Sequence, residues 1–208
     1  MCGTVKFTIT SGDLGPERLI REASGSVRAP HLADYIRLAI HTGCRKGELL
    51  GLEWPRVDID SNLLYLEPKH TKTGKRRYVP LNLEAEKAII NRMRFKVEHC
   101  PDSPWVFCDK NGNRIKDVKT SFATACQRVG IKDFLAHDMR HPCAAWLVSA
   151  GVPLAEVRDL LGHSTIKMTE RYAHLAPENI RAAVARLDAP LSRSCHVSYL
   201  RVVHGGAK

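Results

Sequence analysis

The sequence predicts a mainly α-helical domain carrying a small antiparallel β-sheet, an α+β arrangement, and three observations lead there. Apolar residues recur at helical spacing early in the chain, with Leu32, Tyr35, Ile36, Ala39 and Ile40 on one face. Between Val57 and Leu81 the texture changes to short β-branched and aromatic runs separated by turn residues. From Leu83 onward the helical period returns and persists almost to the end. With 208 residues the chain can bury a core without staples, so one large domain is expected.

In chain order, residues 1–15 carry no period and read as an N-terminal tail. A short helix is expected at 16–23, ended by Gly25, and Pro30 opens a stronger one that Gly43 suits as a C-cap. Glu48, Leu49, Leu50 and Leu52 continue as a second short helix before Trp54-Pro55. Strands are expected at 57–59, 63–66 and 77–81, joined by Asp60-Ser61-Asn62 and by Thr73-Gly74-Lys75. Residues 83–98 return to helix, and Trp105-Val106-Phe107 before Asn111-Gly112-Asn113 reads as a short hairpin. Further helices are expected at 118–129, 140–150, 154–161, 166–174 and 178–187. After Asp188-Ala189-Pro190 the pattern is lost, with an edge strand expected at 195–203 in an otherwise loose tail. The domain map is an N-terminal tail at 1–15, one domain at 16–188 and a C-terminal tail at 189–208.

A formal net charge of +10 points to a polyanionic partner, nucleic acid first. The cysteines (Cys2, Cys44, Cys100, Cys108, Cys126, Cys143, Cys195) are scattered, odd in number and never spaced C-x-x-C. Neither a zinc ribbon nor a disulfide framework follows, and most read as small core side chains in a reducing compartment. There is no cationic leader with an apolar segment and no apolar run long enough to span a bilayer. A soluble cytoplasmic protein without a membrane partner is expected, nucleoid-associated in a bacterium.

The chemistry lies in separated boxes. Arg45 sits in Thr42-Gly43-Cys44-Arg45-Lys46-Gly47-Glu48-Leu49, and His137-Asp138-Met139-Arg140-His141 lies far downstream. A third box runs from Leu161-Gly162-His163-Ser164 to Tyr172-Ala173-His174. Two arginines, two histidines and a tyrosine form the set that breaks a phosphodiester covalently without a metal. The phenol attacks, guanidinium forks hold the non-bridging oxygens, and imidazoles move protons or hold charge.

In the frames T-G-x-R-x-x-E-L, H-x-x-R-H and L-G-H-S-x-I-x-x-T-x-x-Y-A-H, these boxes closely resemble the catalytic domain of the tyrosine recombinase (phage integrase) family, over roughly residues 30–187. Several boxes in the right order with compatible gaps make the resemblance specific. It implies the DNA breaking-rejoining fold and a site-specific recombinase that needs no metal, ATP or organic cofactor. By resemblance Tyr172 is the nucleophile, leaving a 3′-phosphotyrosyl ester and a free 5′-hydroxyl, so that the reverse attack reseals the strand. Arg45 and Arg140 match the phosphate-clamping arginines. His137 matches a proton-transfer histidine, and His163 one that supports the phosphate and the tyrosine. Lys72, in His70-Thr71-Lys72-Thr73-Gly74-Lys75 between two expected strands, matches the general acid for the leaving 5′-oxygen. Lys69, Lys75, Arg76 and Arg77 are expected beside it as a solvated strip facing DNA phosphates. Glu48 matches an arginine-orienting carboxylate, and His141 and His174 are supporting at best. Double-stranded DNA is the implied partner, with self-association into a tetrameric synapse on it.

A rival reading of His137 and His141 as the ligand pair of a zinc-protease helix is disfavoured. Asp138 is shorter than the glutamate that activates water, Pro142 follows directly, and no third ligand is near. Two departures from the family remain. The N-terminal DNA-clamping domain of full-length relatives is expected to be absent, which weakens DNA affinity. Pro142 stands where relatives carry a small polar residue; the helix is expected to begin a residue or two late, or else to misaim His137 and Arg140. A catalytically inactive DNA-binding remnant and a type IB topoisomerase-like activity are the alternatives, and the L-G-H-S…Y spacing favours the recombinase over the latter.

Overall fold

Helix α2 (Leu32–Thr42) buries nine of its eleven residues, so it must be surrounded rather than laid on a surface. Three helices surround it: α1 (Gly15–Ser24), α4 (Leu83–His99) and α6 (Arg140–Ser149). The protein is described by a computed structural model over residues 15–26, 29–67, 76–177 and 184. It divides into two compact units, residues 1–176 and 177–208; in the second only Pro177 and Val184 are described. The expected terminal tails, the 178–187 helix except Val184, and the 195–203 strand lie outside the described residues.

The core of the first unit gathers Leu19 from α1, Tyr35, Ile36 and Leu38 from α2, Leu49 and Leu50 from α3 (Lys46–Leu50), and Phe122 from α5 (Lys119–Arg128). Arg92 of α4 is buried among them, over the Phe95 ring at 4.2 Å and 3.8 Å from an Asp34 carboxylate oxygen. That pairing offsets the cost of placing a guanidinium in the core. A smaller cluster of Cys143, Ala144, Val148, Val157, Leu161 and Tyr172 joins α6 to α7 (Leu154–Leu161).

The sheet has the order β1-β2-β3, all antiparallel, formed by β1 (Val57–Asp58), β2 (Leu63–Leu66) and β3 (Arg77–Pro80). Strand alternation decides what faces inward. Leu64 and Leu66 are buried opposite Val79 and Arg77, while Tyr65 and Tyr78 meet edge to face at 5.3 Å on the other side. Arg77 therefore shares the buried face with the aliphatic residues.

Three local expectations differ from the structure. Trp105 bridges Glu53 rather than a strand across the 111–113 turn, which a Cys108–Arg114 bridge closes instead. Helix α6 begins at Arg140 despite Pro142. Pro142 is its third residue, where a backbone N–H has no partner within the helix, so the missing donor costs nothing. The expected helix at 166–174 is broken into α8 (Lys167–Glu170) and a 3-10 turn at Ala173–Leu175. Thr169 is bonded to His163 and Tyr172 is docked in the smaller cluster. Their three-residue spacing suits i→i+3 winding, and the Tyr172 N–H donates to the Thr169 carbonyl.

Gly43 closes α2 at φ 61°, and a β-carbon there would lie 2.3 Å from Leu161 Cδ2 and 3.1 Å from Cys143 Sγ. Gly43→Ala meets both left-handed strain and overpacking, and should cost about 2–4 kcal/mol. Thermal unfolding should show Tm lower by at least about 5 °C; an unchanged Tm would mean that the α2–α7 contact yields freely. Among the described residues no helix is long and apolar enough to cross a membrane.

Candidate active site

The site is built on the turn that ends α7. Gly162 caps that helix in the left-handed region at φ 62°, turning the carbonyls of Leu161 and Gly162 toward three arginines. Arg45, at the N-terminus of α3, donates from Nη2 to the Gly162 carbonyl at 2.9 Å. Arg77 donates from Nη1 to the Leu161 carbonyl at 2.7 Å, and Arg140 donates to the same oxygen from Nη2. Arg140 Nη1 reaches back to the Gly43 carbonyl at 2.7 Å, so its fork straddles the ends of α2 and α7.

One carboxylate answers these charges. Glu48, buried in the first turn of α3, accepts from Arg45 Nη1 at 2.9 Å and from the Arg45 backbone N–H at 2.8 Å. It also accepts from Arg77 Nη2 at 2.8 Å. Three guanidiniums against one carboxylate leave a positively charged, partly buried patch suited to an anion. Burial first, then repulsion from Arg45 and Arg77, pulls the Arg140 pKa down to about 10, so it stays protonated at neutral pH.

His163 follows Gly162 directly and shares a hydrogen bond with Thr169 Oγ1 through Nδ1 at 2.8 Å. Its pKa falls from 6.5 to about 4, by burial first and then by the charges of Arg140, Arg45, Arg171 and Arg77. The unfolded chain therefore binds a proton between pH 6.5 and 4 that the folded state refuses. Stability rises with pH through that window, and the contribution is complete above 6.5. His163→Gln should flatten the acid side of the stability profile, measured by urea unfolding at pH 4.5 and pH 7. Part of the slope should survive, because burial also brings His31 down to about 4. An unchanged slope would place His163 in solvent.

Tyr172 is 8% exposed, its ring in the smaller apolar cluster and its hydroxyl hydrogen-bonded to His141 Nδ1. Burial raises the phenol pKa, with Arg171 and Arg140 opposing, and burial lowers that of His141. His137 points elsewhere: its side chain is 68% exposed and pairs with Asp138 at 2.9 Å.

Arg45, Arg140 and Glu48 thus meet in one cluster, with His163 inside its electrostatic reach. The histidine that touches Tyr172 is His141, which the sequence ranks as supporting, and not His137. Arg77, expected on a solvated strip, is buried because β3 alternation carries it inward with Val79; Arg76 is exposed. Lys69, Lys72 and Lys75 lie outside the described residues. Sequence reasoning named Arg77 but put it on the surface, and it missed the carbonyls of Gly43, Leu161 and Gly162. The inward phase of Arg77 and Val79 was the available signal for the first; backbone oxygens offer none.

The catalytic domain of bacteriophage HP1 integrase is 30% identical, with a TM-score of 0.64 over 87% of this chain and 95% of that one. The Tn1549 transposon integrase, solved in complex with circular intermediate DNA, shares the fold at 21% identity and a TM-score of 0.63, over 83% of this chain and 64% of that one. The class is therefore that of tyrosine recombinase catalytic domains. The phage integrase family profile matches residues 16–179, and the chain belongs to that family. The integrase of Salmonella phage P22 is 30% identical over 171 residues, which are 76% of this chain and 43% of that protein. The chain spans about half the length of the curated relatives it matches.

Proposed function

We propose that this chain is the catalytic domain of a site-specific DNA recombinase that cleaves and rejoins strands through a phosphotyrosyl ester at Tyr172. The observation that carries the reading is the convergence of Arg45 and Arg140 on one turn, with Arg140 in electrostatic reach of the Tyr172–His141 pair. A scissile phosphate is taken by the guanidinium N–H groups that the backbone carbonyls leave free, while those carbonyls keep the forks in place. Tyr172 Oη attacks phosphorus, its proton passes to the neutral His141, and the bond from phosphorus to the 5′-oxygen breaks. The guanidiniums hold the charge that develops on the non-bridging oxygens. Lys72, on its sequence frame, protonates the departing 5′-oxygen, and His163 assists at the phosphate; His137, matched by its frame alone, is exposed and paired with Asp138 and carries no step here. The ester retains the bond energy, so a 5′-hydroxyl attacking it reseals the strand without ATP. Exchange between two sites requires several protomers, so self-association on DNA belongs to the same proposal.

Covalent trapping tests the reading. The protein is incubated with end-labelled duplexes of mixed sequence, nicked so that the 5′-hydroxyl fragment diffuses away, and resolved on a denaturing gel. A shifted, protease-sensitive band supports strand cleavage. Salt-sensitive DNA retention with no such band would overturn it in favour of an inactive DNA-binding remnant. Plasmid relaxation without strand exchange would point to a topoisomerase.

A further inference from the structure

Arg77 is a buried cation for which the proposed reaction has no use, and its bonds run to the two atoms that hold the clamp. Its Nη2 binds Glu48 Oε2 at 2.8 Å, the oxygen that also takes the Arg45 backbone N–H. Its Nη1 binds the Leu161 carbonyl at 2.7 Å, the oxygen that also takes Arg140. Among the described residues it is the one side chain bonded to both anchors. Its side chain is 7% exposed and that of Glu48 2%, so these bonds form in a dry setting where direction and pairing count most.

The fold makes room for it. Strand alternation turns Arg77 inward, and α7 ends in a glycine over which Arg77 lies. A β-carbon on Gly162 would stand 2.2 Å from Arg77 Nη1 and 3.3 Å from its Cδ and Cζ. The bare turn therefore serves the guanidinium as well as the left-handed backbone.

We propose that Arg77 is a positioning residue: by bridging Glu48 and the Leu161 carbonyl it sets the directions in which Arg45 and Arg140 meet the phosphate. This rests on the strand-transfer reading above. Arg77 does not itself touch DNA, since its side chain is enclosed and both its Nη atoms are engaged. A planar fork that satisfies two acceptors at once fixes their relative placement, whereas an ammonium supplies the charge without the plane.

Arg77→Lys separates direction from charge, because it keeps a cation beside the buried Glu48. The expected result is a Tm near that of the parent, with the Nε–Hε NMR signals of Arg45 and Arg140 in DNA-free protein shifted or broadened. Single-turnover adduct formation should fall about 10²-fold, the usual scale for a small misplacement of reacting groups. DNA retention should change less than about threefold, since phosphate contacts elsewhere dominate it. Arginine signals that stay put would overturn the proposal whatever the rate does, and so would shifted signals at an unchanged rate. If Arg77→Lys does not fold, the double variant Arg77→Met with Glu48→Gln removes the unpaired charge and keeps an acceptor for Arg45; the same two readouts then decide. A parent protein that forms no adduct would sink the strand-transfer reading alone, and the arginine signals would still settle whether Arg77 sets the clamp.

Discussion

Tyr172→Phe is expected to remove the protein–DNA adduct, lowering its formation by on the order of 10⁴-fold or more, as deletion of a covalent nucleophile does. The change deletes one oxygen. The ring keeps its place among Cys143, Ala144, Val148, Val157 and Leu161, so the fold should persist. What is lost locally is the hydrogen bond to His141, worth about 1 kcal/mol, or roughly 2–4 °C in Tm. DNA retention at moderate salt should stay within about twofold, since the phosphate-facing cations are untouched. A denaturing gel with the nicked duplex reads the first quantity, and a filter-retention salt series the second. Residual adduct above about one hundredth of the parent level would assign the attack to another residue, a gap far smaller than nucleophile loss produces.

Arg140→Ala should slow adduct formation by about 10²–10³-fold, the scale for removing one preorganised donor from a developing oxyanion. The residue is held on both sides, by the Gly43 and Leu161 carbonyls, before any phosphate arrives. Truncation leaves those two oxygens short of a donor and joins the ends of α2 and α7 less firmly. Tm should therefore fall as well, by a few degrees for about 1 kcal/mol. Arg140→Lys discriminates between charge and geometry, since it keeps the cation and loses the fork; a deficit of at least about tenfold is expected to remain. Loss of DNA retention in proportion to the rate, with adduct formation normal at saturating DNA, would reduce Arg140 to an ordinary phosphate contact.

Much of the fold was legible because each element carries its own signal. The period of Leu32, Tyr35, Ile36, Ala39 and Ile40 marked α2, and Gly43 marked its end. The strands were found within a residue because Asp60-Ser61-Asn62 separates the first two and period-two burial runs through the second and third. Residues 166–174 were misread as one helix because local pattern does not reveal that Thr169 and Tyr172 are anchored by different partners. Pro142 was overweighted for a related reason: whether proline disrupts a helix depends on where the first turn falls, and Met139 precedes it here as the cap residue.

The candidate site divides along the same line. Residue type and frame singled out Arg45, Arg140, Glu48, His163 and Tyr172, because phosphate chemistry admits few side chains and the boxes place them in order. They ranked His137 above His141 for want of the one fact that matters, the direction each imidazole takes after the chain turns at Asp138. By itself the sequence determined most of the described helices, the three-stranded sheet, the family and the list of chemically competent residues. Only the tertiary structure decided that Arg77 is inside, that His141 is the histidine on Tyr172, and that the arginines rest on the end of α7. The bonds that place the clamp arginines join Arg45 to Gly162 at the end of α7 and Arg140 to Gly43 at the end of α2, across 117 and 97 residues, and they end on backbone carbonyls. Every residue has a carbonyl, so the sequence cannot mark which ones serve, and contacts at such separation exist only once the chain has been packed.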